Sequence, residues 1–327
     1  MINKLFTLVL STMLLALGAS ADAQQPAKMP RVGYVSGTDL QGSGSLLEGF
    51  RQGLRDHGYV EGKNIIVEYR FAEGKVDRIP GLVAELVQLN VDAVVSSNFI
   101  AIQAAKKATK MIPVVMVTTQ DPVAGGVIDS FARPGGNITG LTRLTYETSG
   151  KRLETLKELV PAISRVGFLM SEDRAGGVDL KEYEPTARSL NVQLQTLVVR
   201  GPNPDLAEAF QAAAKGNANA LMASRGPVLN NYKKQIADLA IKNRLPSMAE
   251  GSDFVEAGAL ASYAANDADS SRQAVVYLDK ILKGAKPADL PVEKASKFEL
   301  VINLKTAQQI GLTVPQAVLS RADKVIK

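Results

Sequence analysis

Apolar positions along the chain switch between two periods. Short runs rich in Val, Ile and Leu alternate with stretches where apolar residues recur every three or four positions. The first kind reads as a buried strand of a parallel sheet, the second as an amphipathic helix. Arg31–Val35 is a strand; Leu46, Leu47, Phe50 and Leu54 then mark a helix over Ser45–His57, stopped by Gly58. Further strands fall at Ile65–Tyr69, Ala93–Val95, Val114–Val117 and Ile138–Leu141. Leu82, Val83, Leu86, Val87 and Leu89 mark a second helix, and Ile100–Thr109 a third. Ala124–Ala132 reads as a short helix before the tight turn Arg133–Asn137.

The rhythm then restarts. Helices are predicted at Arg152–Val160, Leu180–Leu190, Leu206–Lys215 and Leu229–Asn243. Strands are predicted at Val166–Met170, Val192–Val199, Ala220–Met222, Pro246–Ala249 and Leu260–Tyr263. Repeated βαβ units imply parallel sheets with helices on both faces. The fold class is therefore α/β, with two doubly wound parallel-sheet lobes. Leu141–Thr148 and Tyr263–Asp267 are the expected hinge segments. An amphipathic helix around Val275–Leu282 should return to the first lobe, and Phe298–Asn303, Lys305–Ile310 and Pro315–Ala322 close the chain.

The N-terminus bears on location. Lys4 precedes a mostly apolar run, Leu5–Leu17, and Ala21-Asp22-Ala23 offers an A-x-A cleavage site. This pattern is that of a secretory signal peptide over residues 1–23, with Ala19-Ser20-Ala21 as the alternative cleavage site. The run is shorter than the roughly 20 apolar residues of a membrane span. About 304 residues then remain, enough for two lobes. The chain has no cysteine, which excludes a lipid anchor on Cys and any disulfide. A periplasmic protein is expected. The net charge of +5 is spread without a basic block, so no nucleic-acid partner is expected. The absence of Trp leans against a sugar ligand.

Four pieces in order carry a resemblance: RVGYVSG, the segment Gly49–Gly74, the DPV…RPGGNITGLT stretch, and Asp279–Leu312. Together they resemble a family of bacterial ABC-transporter substrate-binding proteins that includes tryptophan- and phenylalanine-binding members. The resemblance implies a type I periplasmic-binding fold with a multi-segment hinge. It divides the chain into lobe 1 at 30–143 plus 267–290 and lobe 2 at 144–266 plus 291–327. It also implies capture of a small solute and its delivery to membrane permease subunits by a protein expected to act as a monomer.

Open α/β sheets bind ligands outside the carboxyl ends of their strands. The candidate ligand residues in lobe 1 are therefore Ser36 and Thr38 after the first strand, Ser96, Ser97 and Asn98 after the third, and Thr118, Thr119 and Asp121 after the fourth. Short hydroxyls and amides at helix N-termini suit a carboxylate, and they equally serve as ordinary helix caps. Asp121 could pair with a ligand ammonium, or it could cap the segment begun by Pro122. In lobe 2 the candidates are Ser171, Ser224, Arg225, Glu250 and Tyr263. Arg225 could clamp a carboxylate or pair with Glu250. The loop Ser171–Gly177 departs from the Asn- and Ser-bearing loop of amino-acid-binding relatives.

No catalytic residue, metal site or cofactor is expected. Without Cys, and with His57 as the single histidine at a helix end, the usual nucleophile and base pairs are missing. There is no P-loop, no GxGxxG and no metal-spaced His/Cys cluster. The expected activity is binding of a small polar or amino-acid-like ligand by lobe closure. A periplasmic ligand sensor, or a carboxylate-based enzyme on the same fold, stays open as an alternative.

Overall fold

The computed structural model describes residues 29–172 and 179–327. The signal peptide read over 1–23 and most of the Ser171–Gly177 loop, Asp173 included, lie outside the described residues. Among the described residues no helix is long and apolar enough to cross a membrane.

Two sheets organise the chain. The first contains β1 (Arg31–Ser36), β2 (Ile66–Phe71), β3 (Ala93–Ser96), β4 (Val114–Thr118), β5 (Ile138–Thr142) and β11 (Glu293–Lys294), in the order β11-β5-β4-β3-β1-β2. Every pairing in it is parallel; Val32, for example, sits opposite Val67 on one side and Ala93 on the other. Because side chains alternate across a strand, each strand feeds two cores. Val32, Tyr34, Val95, Val115 and Val117 face one, while Val35, Val94, Val114 and Met116 face the other. This is why the strands read as unbroken apolar runs.

The second sheet repeats the design. It holds β6 (Arg165–Ser171), β7 (Gln193–Val199), β8 (Ala220–Ala223), β9 (Ser247–Ala249), β10 (Ala261–Ala265), β12 (Phe298–Asn303) and β13 (Lys324–Ile326), ordered β13-β12-β10-β9-β8-β6-β7. The β10–β12 pair is antiparallel, with Ala261 opposite Ile302. The other pairs are parallel. Strand order reverses between β1 and β3 in one lobe and between β6 and β8 in the other, and open sheets bind ligands at such points.

The chain passes between lobes in three places: after β5, after β10, and between β11 and β12. The second passage leads into α10 (Asp267–Leu282). Its Ala274, Val275, Tyr277 and Leu278 join the core of the first lobe beside Phe50 and Tyr34. Residues from 291 onward were expected with the second lobe. Instead Glu293 and Lys294 pair with Leu141 and Thr142, so sheet membership changes only after Lys294.

The helices, in chain order up to α9, are α1 (Leu40–Asp56), α2 (Ile79–Gln88), α3 (Phe99–Ala108), α4 (Ser149–Leu159), α5 (Asp179–Ser189), α6 (Leu206–Lys215), α7 (Pro227–Asn231), α8 (Lys233–Lys242) and α9 (Ser252–Glu256). Leu304–Gln309 and Gln316–Leu319 are α11 and α12. Three expectations change. The first helix starts at Leu40 rather than Ser45, because Asp39 caps it by accepting from Gly42 N–H at 2.6 Å, and it bends at Gly44 with φ 24°. Ala124–Ala132 forms turns, not a helix: Gly126 takes φ 64° and Val127 N–H reaches back to Pro122. The single helix read at Leu229–Asn243 is two, interrupted at Tyr232.

α1 docks on α10 through glycines. A Cβ at Gly49 would lie 2.2 Å from the Ala268 carbonyl oxygen, and one at Gly53 would meet Val275 at 2.7 Å. Both gaps are closed by contacts that a methyl would break, and at Gly49 the obstacle is backbone. Gly49→Ala is therefore expected to destabilise the protein by about 1–3 kcal/mol through overpacking. Urea unfolding checks this: the midpoint should fall with an unchanged m-value.

Candidate functional site

The strand tips of the first lobe are built by one repeated local device. In β1, β3, β4 and β5 the last residue is Ser or Thr, and its hydroxyl accepts the backbone N–H two residues on. Ser36 Oγ accepts from Thr38 N at 3.2 Å, Ser96 Oγ from Asn98 N at 3.1 Å, Thr118 Oγ1 from Gln120 N at 3.0 Å and Thr142 Oγ1 from Leu144 N at 3.3 Å. Hydroxyl-backbone turns of this kind compete with strand continuation and stop each strand at the same level. Ser96 also donates to Val35 carbonyl at 2.8 Å, tying neighbouring strands together.

The residues just past these turns face a cavity of about 320 Å³ between the lobes. That lies near the lower end of the roughly 300–1,000 Å³ range of small-molecule sites. From the first lobe come Ser36, Thr38, Ser97, Asn98 and Thr119, together with Ser43, Gln103, Gln120 and Arg143. From the second come Arg225, Gly226, Pro227 and Asn230. Leu46, Phe99 and Ile100 add an apolar wall. Phe99 fits because Gly125 has no side chain: a Cβ there would lie 2.2 Å from the ring edge.

Hydroxyls on the floor are already linked. Thr38 and Ser43 share a bond at 2.9 Å, and Ser43 Oγ reaches Ser36 at 2.8 Å. Asn98 caps α3 through Oδ1, which accepts from Ala101 N at 2.9 Å. Capping and cavity lining therefore coincide in one residue, with the amide N–H₂ as the group left to turn elsewhere.

Other candidates lie elsewhere. Ser96 and Thr118 are fully buried in their turns, behind the lining. Asp121 is not at the cavity; its Oδ1 accepts from Val123 and Ala124 N–H at 2.8 and 3.1 Å, holding the turn that carries Gly125. Ser171 and Ser224 are buried, and their hydroxyls have no hydrogen-bond partner among the described residues. Tyr263 stacks on Phe298 with ring centroids 6.1 Å apart and offers its carbonyl to Arg152 Nε at 2.9 Å.

Beneath the cavity sits a buried charge network. Asp267, the first residue of α10, pairs with Arg143 from the first lobe and Arg225 from the second. Arg225 also approaches Asp253 at 3.4 Å, and Lys233 reaches the same carboxylate at 3.3 Å. Glu250 does not pair with the Arg225 guanidinium; it accepts from the Arg225 backbone N–H at 3.0 Å and lies 3.5 Å from Arg152. Arg152 is fully buried and also donates to Tyr183 Oη at 2.7 Å. Burial alone would raise the Asp253 pKa, but Arg225 and Lys233 outweigh it and hold the carboxyl below its usual range. Burial, with the nearby Arg225 charge, draws Arg143 down to about 9, so it stays protonated at pH 7.

Arg143, Arg152 and Asp267 were not among the candidates. Arg143 and Asp267 fall inside the expected hinge segments, where polar residues are unremarkable. Their only sequence signal is position, one residue past a strand end and one residue into a helix. Gln120 and Asn230 carried no signal beyond lying near a strand tip. Among the described residues no cluster of His, Cys, Asp and Glu could hold a metal ion.

Comparison with known proteins agrees with this architecture. Residues 39–326 match the family described as ABC transporter substrate binding protein. A tyrosine-binding protein of Clostridioides difficile (strain R20291) is 25% identical over 268 residues, covering 81% of this chain and 76% of that protein. A conserved domain protein from Vibrio cholerae O1 biovar eltor has a crystal structure that superposes with a TM-score of 0.83. It is 28% identical and covers 91% of this chain and 100% of its own. An ABC domain from Streptococcus pneumonia, solved in complex with L-Trp, superposes with a TM-score of 0.79 at 26% identity, over 90% of this chain and 100% of its own.

The network makes two measurable demands on stability. Asp267→Ala removes the carboxylate that two buried guanidinium groups share and should cost about 3–5 kcal/mol in chemical denaturation. Asp238→Ala breaks only the exposed pair with Lys234 and should cost less than about 1 kcal/mol. The second demand is on pH. Asp253 holds its proton less tightly folded than unfolded, where its pKa is about 3.9. Its contribution is present above that pH and is lost as pH falls through the lower folded value. Asp253→Asn should flatten the stability profile below about pH 4, read from thermal melts across the acid range.

Proposed function

Since the chain belongs to the ABC transporter substrate-binding protein family, we propose that it captures a small polar, amino-acid-like solute between its lobes outside the cytoplasmic membrane and delivers it to an ABC permease. The family is one of binding proteins rather than enzymes. The observation that carries the reading is the cavity itself, whose polar walls come from the strand tips of both lobes. A ligand touching both walls stabilises the closed arrangement and no other, so closure reports occupancy. The three chain crossings provide the hinge, and each lobe keeps its own sheet and cores.

Relatives support the ligand class: one is named for tyrosine binding, and another was solved with L-Trp. Ser36, Thr38, Ser97, Asn98, Thr119 and Arg225 are the proposed contacts among the residues read from the sequence, joined by Gln120 and Asn230. The signal-peptide pattern supports export to the periplasm; the spread of charge without a basic block argues against a nucleic-acid partner, and a monomer is the expected state. The permease partner rests on the family.

Closure has a direct test. A solute that raises the melting temperature should also reduce the radius of gyration in solution scattering. Gln120→Ala on one wall and Asn230→Ala on the other should each weaken binding about tenfold, which is about 1.4 kcal/mol. Neither should change the unfolding midpoint much. Full affinity by calorimetry in both variants would remove this cavity as the site.

A further inference from the structure

We propose that Asn231 is a positioning residue for solute capture. It latches the second lobe onto the first outside the cavity, so that a minority of molecules is closed before any solute arrives. This rests on the closing movement proposed above and assigns part of its drive to a contact between the lobes themselves.

The seat for the latch is built in the first lobe from two turns bonded to each other. Ala72 N–H donates to the Ser36 carbonyl at 2.9 Å, Glu73 N–H to the Thr38 carbonyl at 3.2 Å, and Gly74 N–H to the Gly37 carbonyl at 2.9 Å. To make these bonds Glu73 takes φ 57° and Gly74 φ 79°. Few residues other than glycine adopt the first of these. The turns after β1 and β2 thus form one pad. Its glycines leave room for the other lobe: a Cβ on Gly74 would lie 3.2 Å from Asn231 Nδ2, and one on Gly42 would lie 2.4 Å from Asn231 Oδ1.

The latch itself stands on α7, which is anchored in the second lobe. Leu229 is fully buried in that lobe's core, and Val228 beside it is buried too. Pro227 and Asn230 line the cavity, whereas Asn231 is not among its described lining residues. Its Oδ1 instead accepts from Asp39 N–H of the first lobe at 3.2 Å. Two adjacent amides therefore divide the work. Asn230 meets the solute, and its contribution depends on which solute that is. Asn231 meets the pad, and its contribution is the same for all of them.

Parting the lobes breaks the Asp39–Asn231 bond and returns both groups to water. Such an exchange leaves the net worth of one hydrogen bond, about threefold to tenfold in the ratio of closed to open molecules. A bound solute then raises a population that already exists. It also leaves more slowly, because the latch must break first.

Distances between the lobes decide the question. The chain has no cysteine, so two introduced thiols carry spin labels at known places. Lys63→Cys in the first lobe and Lys242→Cys in the second are both at exposed positions. Pulsed electron–electron double resonance would be read on the protein after dialysis from urea to strip solute. The wild type should show a minor short distance beside a longer one. Asn231→Ala should lower the ratio of short to long about threefold or more, with the unfolding midpoint unchanged. Asn243→Ala, an exposed amide that bonds within its own lobe to the Leu239 carbonyl, should leave the ratio as it is. A wild type with no short distance, or an Asn231→Ala distribution equal to that of the wild type, overturns the latch. Neither outcome involves a solute, so the binding reading still stands or falls by the scattering test. A protein that no solute closes loses that reading, and these distances still judge the latch.

Discussion

Asp267 is the point on which the arrangement turns. It stands at the start of α10, one residue past the cap Asn266, where a helix N-terminus favours a negative charge. Its carboxylate meets Arg143, just past the last long strand of the first lobe, and Arg225, at the tip of β8 in the second. Three segments are thereby fixed at once: two hinge crossings and one wall of the cavity. Taking such charges out of water costs several kcal/mol each, and only close pairing offsets it. The network is thus better understood as a demand on geometry than as a source of stability. Each guanidinium must lie where a carboxylate waits, and this holds the cavity floor in one arrangement.

The lobes can approach this floor only because side chains are missing at chosen places. A Cβ on Gly37 would lie 2.8 Å from Pro227, and one on Gly42 would lie 2.4 Å from Asn231 Oδ1, both across the lobe boundary. Asn231 Oδ1 also accepts from Asp39 N–H at 3.2 Å. The closed arrangement thus sets glycine backbone of one lobe against side chains of the other, bridged by one amide. Lobe closure and helix capping meet at the same turn, since Asp39 caps α1 while its own N–H reaches the other lobe. A change in that turn alters both the start of the helix and the balance between open and closed forms.

Much of the fold could be read from periodicity. Leu206–Lys215 and Phe298–Asn303 have the limits expected, and most other elements differ by a residue or two. The failures have physical causes. Gly42-Ser43-Gly44 argues against a helix, yet Asp39 starts one there and Gly44 absorbs the bend. Ala124–Ala132 has the composition of a helix, but Gly125 and Gly126 and the Asp121 cap make turns of it. At the site, polar residues after strands could be located, because sheet topology places strand tips at the cleft. Arg143 and Asp267 could not be singled out, because their importance comes from meeting each other across 124 residues of chain.

The strand tips show why neighbouring polar residues of the same type have different roles. Ser96 and Ser97 are identical in kind and adjacent, yet Ser96 is sealed in a turn and Ser97 lines the cavity. Thr118 and Thr119 divide in the same way. A hydroxyl on the last strand residue can reach the N–H two positions later; the next residue, turned to the other side, cannot. The first residue therefore ends the strand and the second is left for the ligand. Ser36 does both, because Gly37 follows it and offers no side chain to take the second role. Specificity in such a lobe can change at the second residue of each pair while the first keeps the turn. Arg143 occupies that second position after β5, following Thr142. A guanidinium stands there in place of a short hydroxyl, so the fourth strand tip brings charge to a wall that the other three make polar and neutral.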